Sequence, residues 1–417
     1  MRRSAPLRRL APLVALSLVA AAPWAQAAGR TRPDHDAFYT YTGDRPLADV
    51  APGTVLKSRA TTMYFGPMTT PVNGEQLLYR TTGQLGEPTV TVTTVLAPAQ
   101  LPVTPNIVGY LSFYDGLDSK CDPSYTLAGG DAGGAAQQEA EEEELLINWY
   151  LGQGFVVTVP DVEGTGLDWM AGRVAGYASL DGVRATETYL HAPTAKVGLS
   201  GYSGGALAAD WASELAPTYA PKLDIVGVAM GGVPVNEFHL FDYANGTSEY
   251  AAAIPAMLLG LSRAYDVDLS RYLSSYGAKV VKEESTGCMP DLFGRWPGLT
   301  VAKILKPQFR DWQHVPAIAR MLRDQTMGSA PGHPSTSAPI YMGVGNSDGK
   351  GDGVMRAADV QALADEYCLQ GVPVQFEEYQ GASHQTAGAF FEPKTGPFFQ
   401  ERFAGAPFKD NCPLRVQ

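Results

Sequence analysis

The strongest chemical signal in this 417-residue chain is a serine flanked by glycines in the pattern G-x-S-x-G. That pattern can place a serine hydroxyl on a sharp turn between a strand and a helix, where it acts as a nucleophile. It occurs twice, at residues 201–205 around Ser203 and at residues 345–349 around Ser347. With 45 Gly in the chain, a chance match is a real risk, and at most one of these serines can be the nucleophile.

The flanking sequence favours Ser203. Residues 196–199 have the pattern of a strand, and Leu207, Trp211 and Leu215 follow at the spacing of one helix face. Ser347 also follows a strand pattern, but further glycines delay any helix after it. We therefore predict that Ser203 is the nucleophile and that Ser347 lies in a glycine-rich turn.

A serine hydroxyl needs a base to take its proton, and in this arrangement the acid and the histidine follow the serine along the chain. His384 comes directly after the last predicted strand, so its loop can carry the imidazole back over Ser203. The other histidines after Ser203 fall in or beside a helical segment or in a proline-flanked loop: His239, His314 and His333. His384 is the predicted base, with a surface-loop histidine as the alternative.

The acid should follow the strand predicted at residues 339–344, which leaves Asp348 and Asp352. Asp352 precedes the start of the next helix and is preferred as the residue that orients the imidazole. A calcium loop over residues 346–353 is a competing interpretation, but Lys350 occupies an expected ligand position.

A serine nucleophile of this kind also needs two donors for the oxyanion that forms on the substrate. One donor is the N–H of Gly204, directly after the serine. The other should come from the loop after the strand at residues 107–113, namely Tyr114-Asp115-Gly116, with Asp115 as the assigned residue; the chain has no His-Gly-Gly-Gly run.

The elements that must position these residues alternate between strands and helices. Strand patterns at residues 107–113, 155–159, 196–199, 224–229, 339–344 and 372–379 are separated by helical ones, one of them at residues 183–191. Further strands are predicted within residues 71–98. Such alternation predicts an α/β fold with a mostly parallel central sheet flanked by helices. The predicted division is a core over residues 28–232, a helical cap insertion over 233–325 and the rest of the core over 326–417.

The cap segment carries enough apolar side chains to line an acyl pocket: those at residues 254–259, Phe293, Trp296 and Phe309. The alternative is ordinary packing on the core. A run of glutamates at positions 139 and 141–144 is predicted to be the exposed first turn of a helix, without a function.

The first 27 residues have the layout of a secretory signal, with four arginines, an apolar stretch and small residues before the expected cleavage after Ala27. The apolar run is too short for a spanning helix, so an integral membrane protein is excluded, and a retained anchor is the alternative. The net charge of −12 and the absence of a basic stripe exclude a nucleic-acid partner.

Four cysteines, an even number, follow the signal: Cys121, Cys288, Cys368 and Cys412. In an oxidising compartment they favour two disulfides, and all three pairings are open. The chain has no C-x-x-C or H-E-x-x-H motif, so neither a metal nor another cofactor is expected.

Taken together, these motifs resemble the secretory lipases of the yeast lipase A type. The resemblance rests on the leader, residues 52–56, Tyr114-Asp115 followed by Cys121 and residues 123–125, Gly172-Arg173 with residues 180–182 and Arg184, residues 201–205, and the spacing of Asp352 and His384. It departs at residues 353–356, where the family commonly has an acidic residue followed by Ile/Val-Val-Pro.

The resemblance implies an α/β-hydrolase fold, hydrolysis of lipid esters, a helical cap over an acyl tunnel and an oxyanion role for Asp115. It also implies disulfides Cys121–Cys288 and Cys368–Cys412. The leading hypothesis is a secreted serine carboxylester hydrolase, a lipase, with an ester or lipid substrate and a lipid–water interface as a candidate partner. The alternatives are an exported serine peptidase of the same fold and a catalytically silent binding protein.

Overall fold

A computed structural model describes residues 30–65, 68–247, 249–328 and 337–413. The predicted signal and its cleavage site lie outside these residues, as does His333.

One mostly parallel sheet organises the described part of the chain. Its nine strands are β1 (Val55–Phe65), β2 (Met68–Thr82), β3 (Pro88–Ala97), β4 (Ile107–Leu111), β5 (Val156–Pro160), β6 (Lys196–Tyr202), β7 (Asp224–Gly231), β8 (Ile340–Asn346) and β9 (Val374–Gln380). They lie in the order β1-β2-β3-β5-β4-β6-β7-β8-β9. The pairs from β1 to β5 are antiparallel, and those from β5 through β4 to β9 are parallel. The predicted parallel sheet is confirmed.

Helices cover both faces of this sheet. They are α1 (Pro123–Thr126), α2 (Ala135–Gly152), α3 (Gly172–Tyr189), α4 (Gly204–Tyr219), α5 (Glu237–Ala244), α6 (Ala253–Ala264), α7 (Ser275–Glu284), α8 (Met289–Leu292), α9 (Val301–Ile304), α10 (Pro316–Arg323), α11 (Ala357–Gln370) and α12 (His384–Phe403). Helices α5 to α10 follow one another between β7 and β8, where the cap insertion is predicted. The exact cap boundaries at 233 and 325 stay a prediction.

Alternating residues of the central strands point to opposite faces of the sheet and pack in its two largest hydrophobic clusters, one on each face. Val197 and Leu199 of β6 pack in a cluster with α3, α4 and α11, and this cluster continues into the helices between β7 and β8. Val108 and Tyr110 of β4 pack on the opposite face with α2 and α12. Helix α12 contacts β6, β7 and β8, so its first residue is held beside the carboxyl ends of those strands.

Helix α3 is longer than predicted, because it begins at Gly172 and not near Val183. Glycine lowers helix propensity, which hides the start of this helix in the sequence. In the structure a Cβ on Gly172 would lie 1.9 Å from Nε1 of Trp211 in α4. Close packing of α3 on α4 therefore outweighs the propensity of its glycines.

The prediction of an exposed glutamate run is wrong. Helix α2 begins at Ala135, so the run lies beyond its first turn. Glu143 and Glu144 are only 5% and 0% exposed. Their side of α2 faces the sheet, where the Glu143 carboxylate accepts hydrogen bonds from the end of β4 and the loop after it.

Two disulfides tie the chain together. Cys121, just before α1, bonds Cys288, just before α8, and Cys368 in α11 bonds Cys412 near the C-terminus. This is the pairing that the family resemblance implies. Within the described ranges, no helix is both long and apolar enough to cross a membrane.

Glu284, at the end of α7, gives the helices between β7 and β8 a pH-dependent stability. It is fully buried, and burial raises the pKa of its carboxyl from 4.5 to about 8. Because the folded state binds this proton more tightly than the unfolded state, stability should fall as pH rises from about 4.5 to about 8. We expect Glu284→Gln to raise Tm by an amount that grows over that range.

Thermal melts of Glu284→Gln and the parent at two pH values, near 5 and near 8, check this prediction, with the exposed neighbour Glu283→Gln as control. A gain in Tm that is equal at both pH values would contradict it.

Candidate active site

Ser203 sits on a tight turn between β6, which ends at Tyr202, and α4, which begins at Gly204. Its backbone has φ 53° and ψ −119°, a conformation that residues other than glycine rarely adopt. The motif glycines allow the turn to close: a Cβ on Gly201 would lie 2.1 Å from the carbonyl oxygen of Gly205, and one on Gly205 would lie 2.0 Å from that of Leu111. The turn therefore presents the Ser203 hydroxyl at the carboxyl end of the sheet.

His384, the first residue of α12, reaches this hydroxyl. Its Nε2 lies 2.9 Å from Ser203 Oγ. Two backbone contacts fix its place, since the Tyr202 hydroxyl donates to the His384 carbonyl at 2.5 Å and the His384 N–H donates to the Asp352 carbonyl at 2.9 Å. His384 is only 8% exposed.

Asp352 lies on the other side of the imidazole. Its Oδ2 is 2.8 Å from His384 Nδ1, and its Oδ1 accepts from the N–H groups of Val354 at 2.9 Å and Met355 at 2.7 Å. A buried carboxylate in this place holds the proton on Nδ1 and leaves Nε2 free to accept from the serine. Backbone N–H groups hold the Asp352 carboxylate. The side chains at residues 353–356, where the sequence differs from the family, therefore do not change these hydrogen bonds.

The alternative serine, acid and histidine that the sequence offered do not lie in this row of hydrogen bonds. Asp348 is exposed, and its Oδ1 accepts from the N–H groups of Lys350 and Gly351, which lower the pKa of its carboxyl. Ser347 is exposed in the same turn. Nδ1 of His239 lies within hydrogen-bond distance, 2.9 Å, of a carboxylate oxygen of Asp359, and His239 does not line the cavity beside Ser203.

Two backbone N–H groups beside Ser203 have no acceptor among the described residues. One belongs to Gly204, at the start of α4. The other belongs to Asp115, whose neighbours on the loop all donate to an acceptor. The loop lies against the turn, because a Cβ on Gly204 would lie 2.0 Å from Asp115 Oδ1. Both residues line the same cavity as Ser203, so their free N–H groups are candidate donors to an oxyanion.

These groups open into a cavity of about 480 Å³. The helices between β7 and β8 supply an apolar wall that includes Leu240, Met257 and Phe293. Of the cap residues predicted to line a pocket, Met257 and Phe293 do line this cavity, and its use for an acyl chain stays a prediction. Trp296 and Phe309 do not line this cavity, since they pack on Tyr276 and Tyr272.

The opposite wall is polar, and sequence reasoning missed it. Glu139 and Glu142 of α2 and Glu392 of α12 line the cavity there. Burial raises the pKa of Glu392 to about 7 and also raises that of Glu139. The glutamate run was the available signal, but only the packing of α2 beside α12 brings these carboxyl groups to the cavity.

Ser203 lies on a strand–turn–helix and is hydrogen-bonded to a histidine, which is bonded to an aspartate; both follow the serine in the chain on a mostly parallel sheet. This arrangement is that of a serine hydrolase of the α/β-hydrolase class. In the described residues no group of three or more His, Cys, Asp or Glu side chains could hold a metal ion.

Comparison with known proteins gives the family. The sequence matches the model of the secretory lipase family over residues 135–411. A secreted triacylglycerol lipase of Malassezia furfur is 32% identical over 394 residues, which cover 91% of this chain and 81% of that protein. A protein of Mycobacterium tuberculosis named as a probable inactive lipase is 33% identical over 390 residues, which cover 91% and 84%.

The fold agrees with this match. The crystal structure of Candida antarctica lipase A in its closed state superposes with a TM-score of 0.83 at 30% identity and covers 92% of this chain and 89% of that chain. The chain belongs to the secretory lipase family and has the α/β-hydrolase fold. The resemblance proposed from sequence is confirmed.

Proposed function

We propose that this protein is a secreted serine carboxylester hydrolase, a lipase, in which Ser203, His384 and Asp352 form the catalytic triad. The observation that carries the proposal is the unbroken row of hydrogen bonds from Ser203 Oγ through the imidazole to Asp352, at 2.9 and 2.8 Å. That row ends in a cavity with an apolar wall, which suits an acyl chain.

The reaction follows from the geometry. His384 Nε2 takes the proton of Ser203 as Oγ attacks the ester carbonyl, and the N–H groups of Gly204 and Asp115 bind the oxyanion. His384 returns the proton to the departing alcohol, which leaves an acyl group on Ser203. A water molecule, deprotonated by His384, then attacks the acyl-enzyme through a second oxyanion. When this intermediate collapses, the bond from the acyl carbon to Ser203 Oγ breaks, Oγ takes the proton back from His384 and the carboxylic acid leaves. Asp352 stabilises the imidazolium in both steps.

The helices between β7 and β8 act as a cap over the cavity, and the substrate reaches it at a lipid–water interface. The support for this part is Phe293, which lines the cavity, packs edge-on against Tyr250 and is still 41% exposed. An apolar ring at that place can contact lipid while the acyl chain enters.

Secretion with cleavage after Ala27 completes the proposal. In the first 27 residues, arginines are followed by an apolar stretch and then by small residues, which is the layout of a secretory signal. The two disulfides also support secretion, because they need an oxidising compartment.

A catalytically silent protein is a second candidate, favoured by the name of the Mycobacterium tuberculosis relative. Against it stands the complete set of triad contacts in this chain.

Paired substrates test the proposed function. The protein is assayed with p-nitrophenyl esters of increasing acyl length and with p-nitroanilides of the same acyl groups. We expect hydrolysis of the esters and little or none of the anilides, with the preferred acyl length set by the apolar wall. Faster anilide turnover would instead support a peptidase, and loss of both activities in a folded sample would support a silent protein.

A further inference from the structure

The loop between β4 and α1 carries the Asp115 N–H, which is left without an acceptor because its neighbours on the loop are bonded to other groups. Of the N–H groups from Phe113 to Leu117, only that of Asp115 lacks an acceptor among the described residues. Residues 112–115 lie outside any helix or strand, and Asp115 itself has φ 26°. Contacts from other elements must therefore hold this part of the backbone so that the Asp115 N–H stays free.

Glu143 of α2 holds the first half of the loop. Its carboxylate accepts from Ser112 Oγ at 2.7 Å and from the Phe113 N–H at 3.0 Å. The same carboxylate accepts from the Tyr110 hydroxyl at 3.2 Å. Ser112 Oγ in turn accepts the N–H of Tyr114 at 3.1 Å. A single buried carboxylate thus fixes two successive amides, one directly and one through a serine.

Glu163, between β5 and α3, holds the second half. Both of its carboxylate oxygens accept from the Gly116 N–H, at 3.3 and 3.2 Å. Its own N–H donates to the Tyr114 hydroxyl at 2.7 Å. Glu163 is 5% exposed, so these bonds are shielded from water.

A third set of contacts comes from the start of α8 and the residues just before it. The Met289 N–H donates to the Asp115 carbonyl at 2.8 Å, and the Leu117 N–H donates to the Gly287 carbonyl at 3.0 Å. The carbonyl of Asp115 is therefore fixed. Hydrogen bonds thus hold the peptide units on both sides of the Tyr114–Asp115 unit, which carries the free N–H.

We propose that Glu143 and Glu163 are positioning residues that hold the Asp115 N–H in place for the oxyanion. This inference rests on the proposed esterase function and adds to it two carboxylates that touch neither substrate nor triad. Their effect should appear in the chemical step, because the oxyanion forms only there, and removal of one oxyanion donor commonly lowers kcat by about 10²- to 10³-fold.

The Glu143 side offers the sharper test, since Ser112→Ala breaks the relay to Tyr114 while removing a single oxygen atom. We expect kcat for a p-nitrophenyl ester to fall about 10-fold in Ser112→Ala and about 100-fold in Glu143→Ala, with KM changed little. Glu143→Gln keeps one acceptor oxygen and should recover part of the loss. The control is Glu187→Gln, at another buried glutamate, which lies in α3 outside these contacts. Burial raises the pKa of Glu187 to about 7, as it does that of Glu143.

A trifluoromethyl ketone provides the second readout, because it forms a tetrahedral oxyanion on the serine. Its inhibition constant should rise by the same factor as kcat falls in each variant, while Glu187→Gln stays at the wild-type value. Thermal melting shows that each variant is folded. The inference is overturned if folded Ser112→Ala and Glu143→Ala keep wild-type kcat and inhibitor affinity, or if only KM changes. Failure of the proposed function would look different, because the wild-type protein itself would not hydrolyse the ester.

Discussion

Replacing Ser203 with alanine is expected to lower kcat for ester hydrolysis by about 10⁶-fold, as loss of a triad serine does in other serine hydrolases. The reason is that Oγ is both the nucleophile and the hydrogen-bond partner of His384 Nε2, at 2.9 Å. The measurement is the steady-state rate with a p-nitrophenyl ester. The fold should be unaffected, since the turn depends on Gly201 and Gly205 and not on the hydroxyl.

Ser347→Ala is the matched control, because Ser347 stands in the second G-x-S-x-G match and lies in an exposed turn. It should keep wild-type kcat and KM. Appreciable turnover by Ser203→Ala, or a large loss in Ser347→Ala, would show that the nucleophile is misassigned.

Replacing Asp352 with asparagine is expected to lower kcat by about 10⁴-fold. An amide in this place can donate to Nδ1, which favours the tautomer whose Nε2 carries the proton and cannot accept from Ser203. The two backbone bonds from Val354 and Met355 can still be made to an amide oxygen, so the loop should keep its shape.

The control for this change is Asp348→Asn, four residues earlier in the same loop. Asp348 is exposed and its bonds are to Lys350, Gly351 and Tyr243, so the variant should keep wild-type kcat. Single-turnover rates with an activated ester compare the two variants directly. If Asp348→Asn lost as much rate as Asp352→Asn, the choice of acid would be contradicted.

The sequence was sufficient for the sheet and for the order of chemical groups along it. Three local patterns each predict where one element ends. They are the alternation of apolar and polar residues in the strands, the helical spacing after Ser203 and the histidine directly after the last strand. Because parallel strands end at one edge of the sheet, groups far apart in the chain could be expected to meet there.

What the sequence could not give depends on contacts between distant elements. The glutamate run was expected to face water, because nothing local shows that α2 turns this side to the sheet and to α12. Helix α3 was predicted too short, because its glycines are explained only by the approach of Trp211. The free N–H of Asp115 likewise follows from partners such as Glu143, Glu163 and Met289, which lie far from it in the chain.

The most direct test that Ser203 is the nucleophile is to locate the covalent adduct formed with diethyl p-nitrophenyl phosphate. Peptide mass spectrometry should place one diethylphosphoryl group on Ser203, with loss of ester hydrolysis in proportion to labelling, and Ser203→Ala should take up none. An adduct on Ser347 or another residue that abolishes hydrolysis, with Ser203 unmodified, would contradict the assignment of Ser203 as the nucleophile.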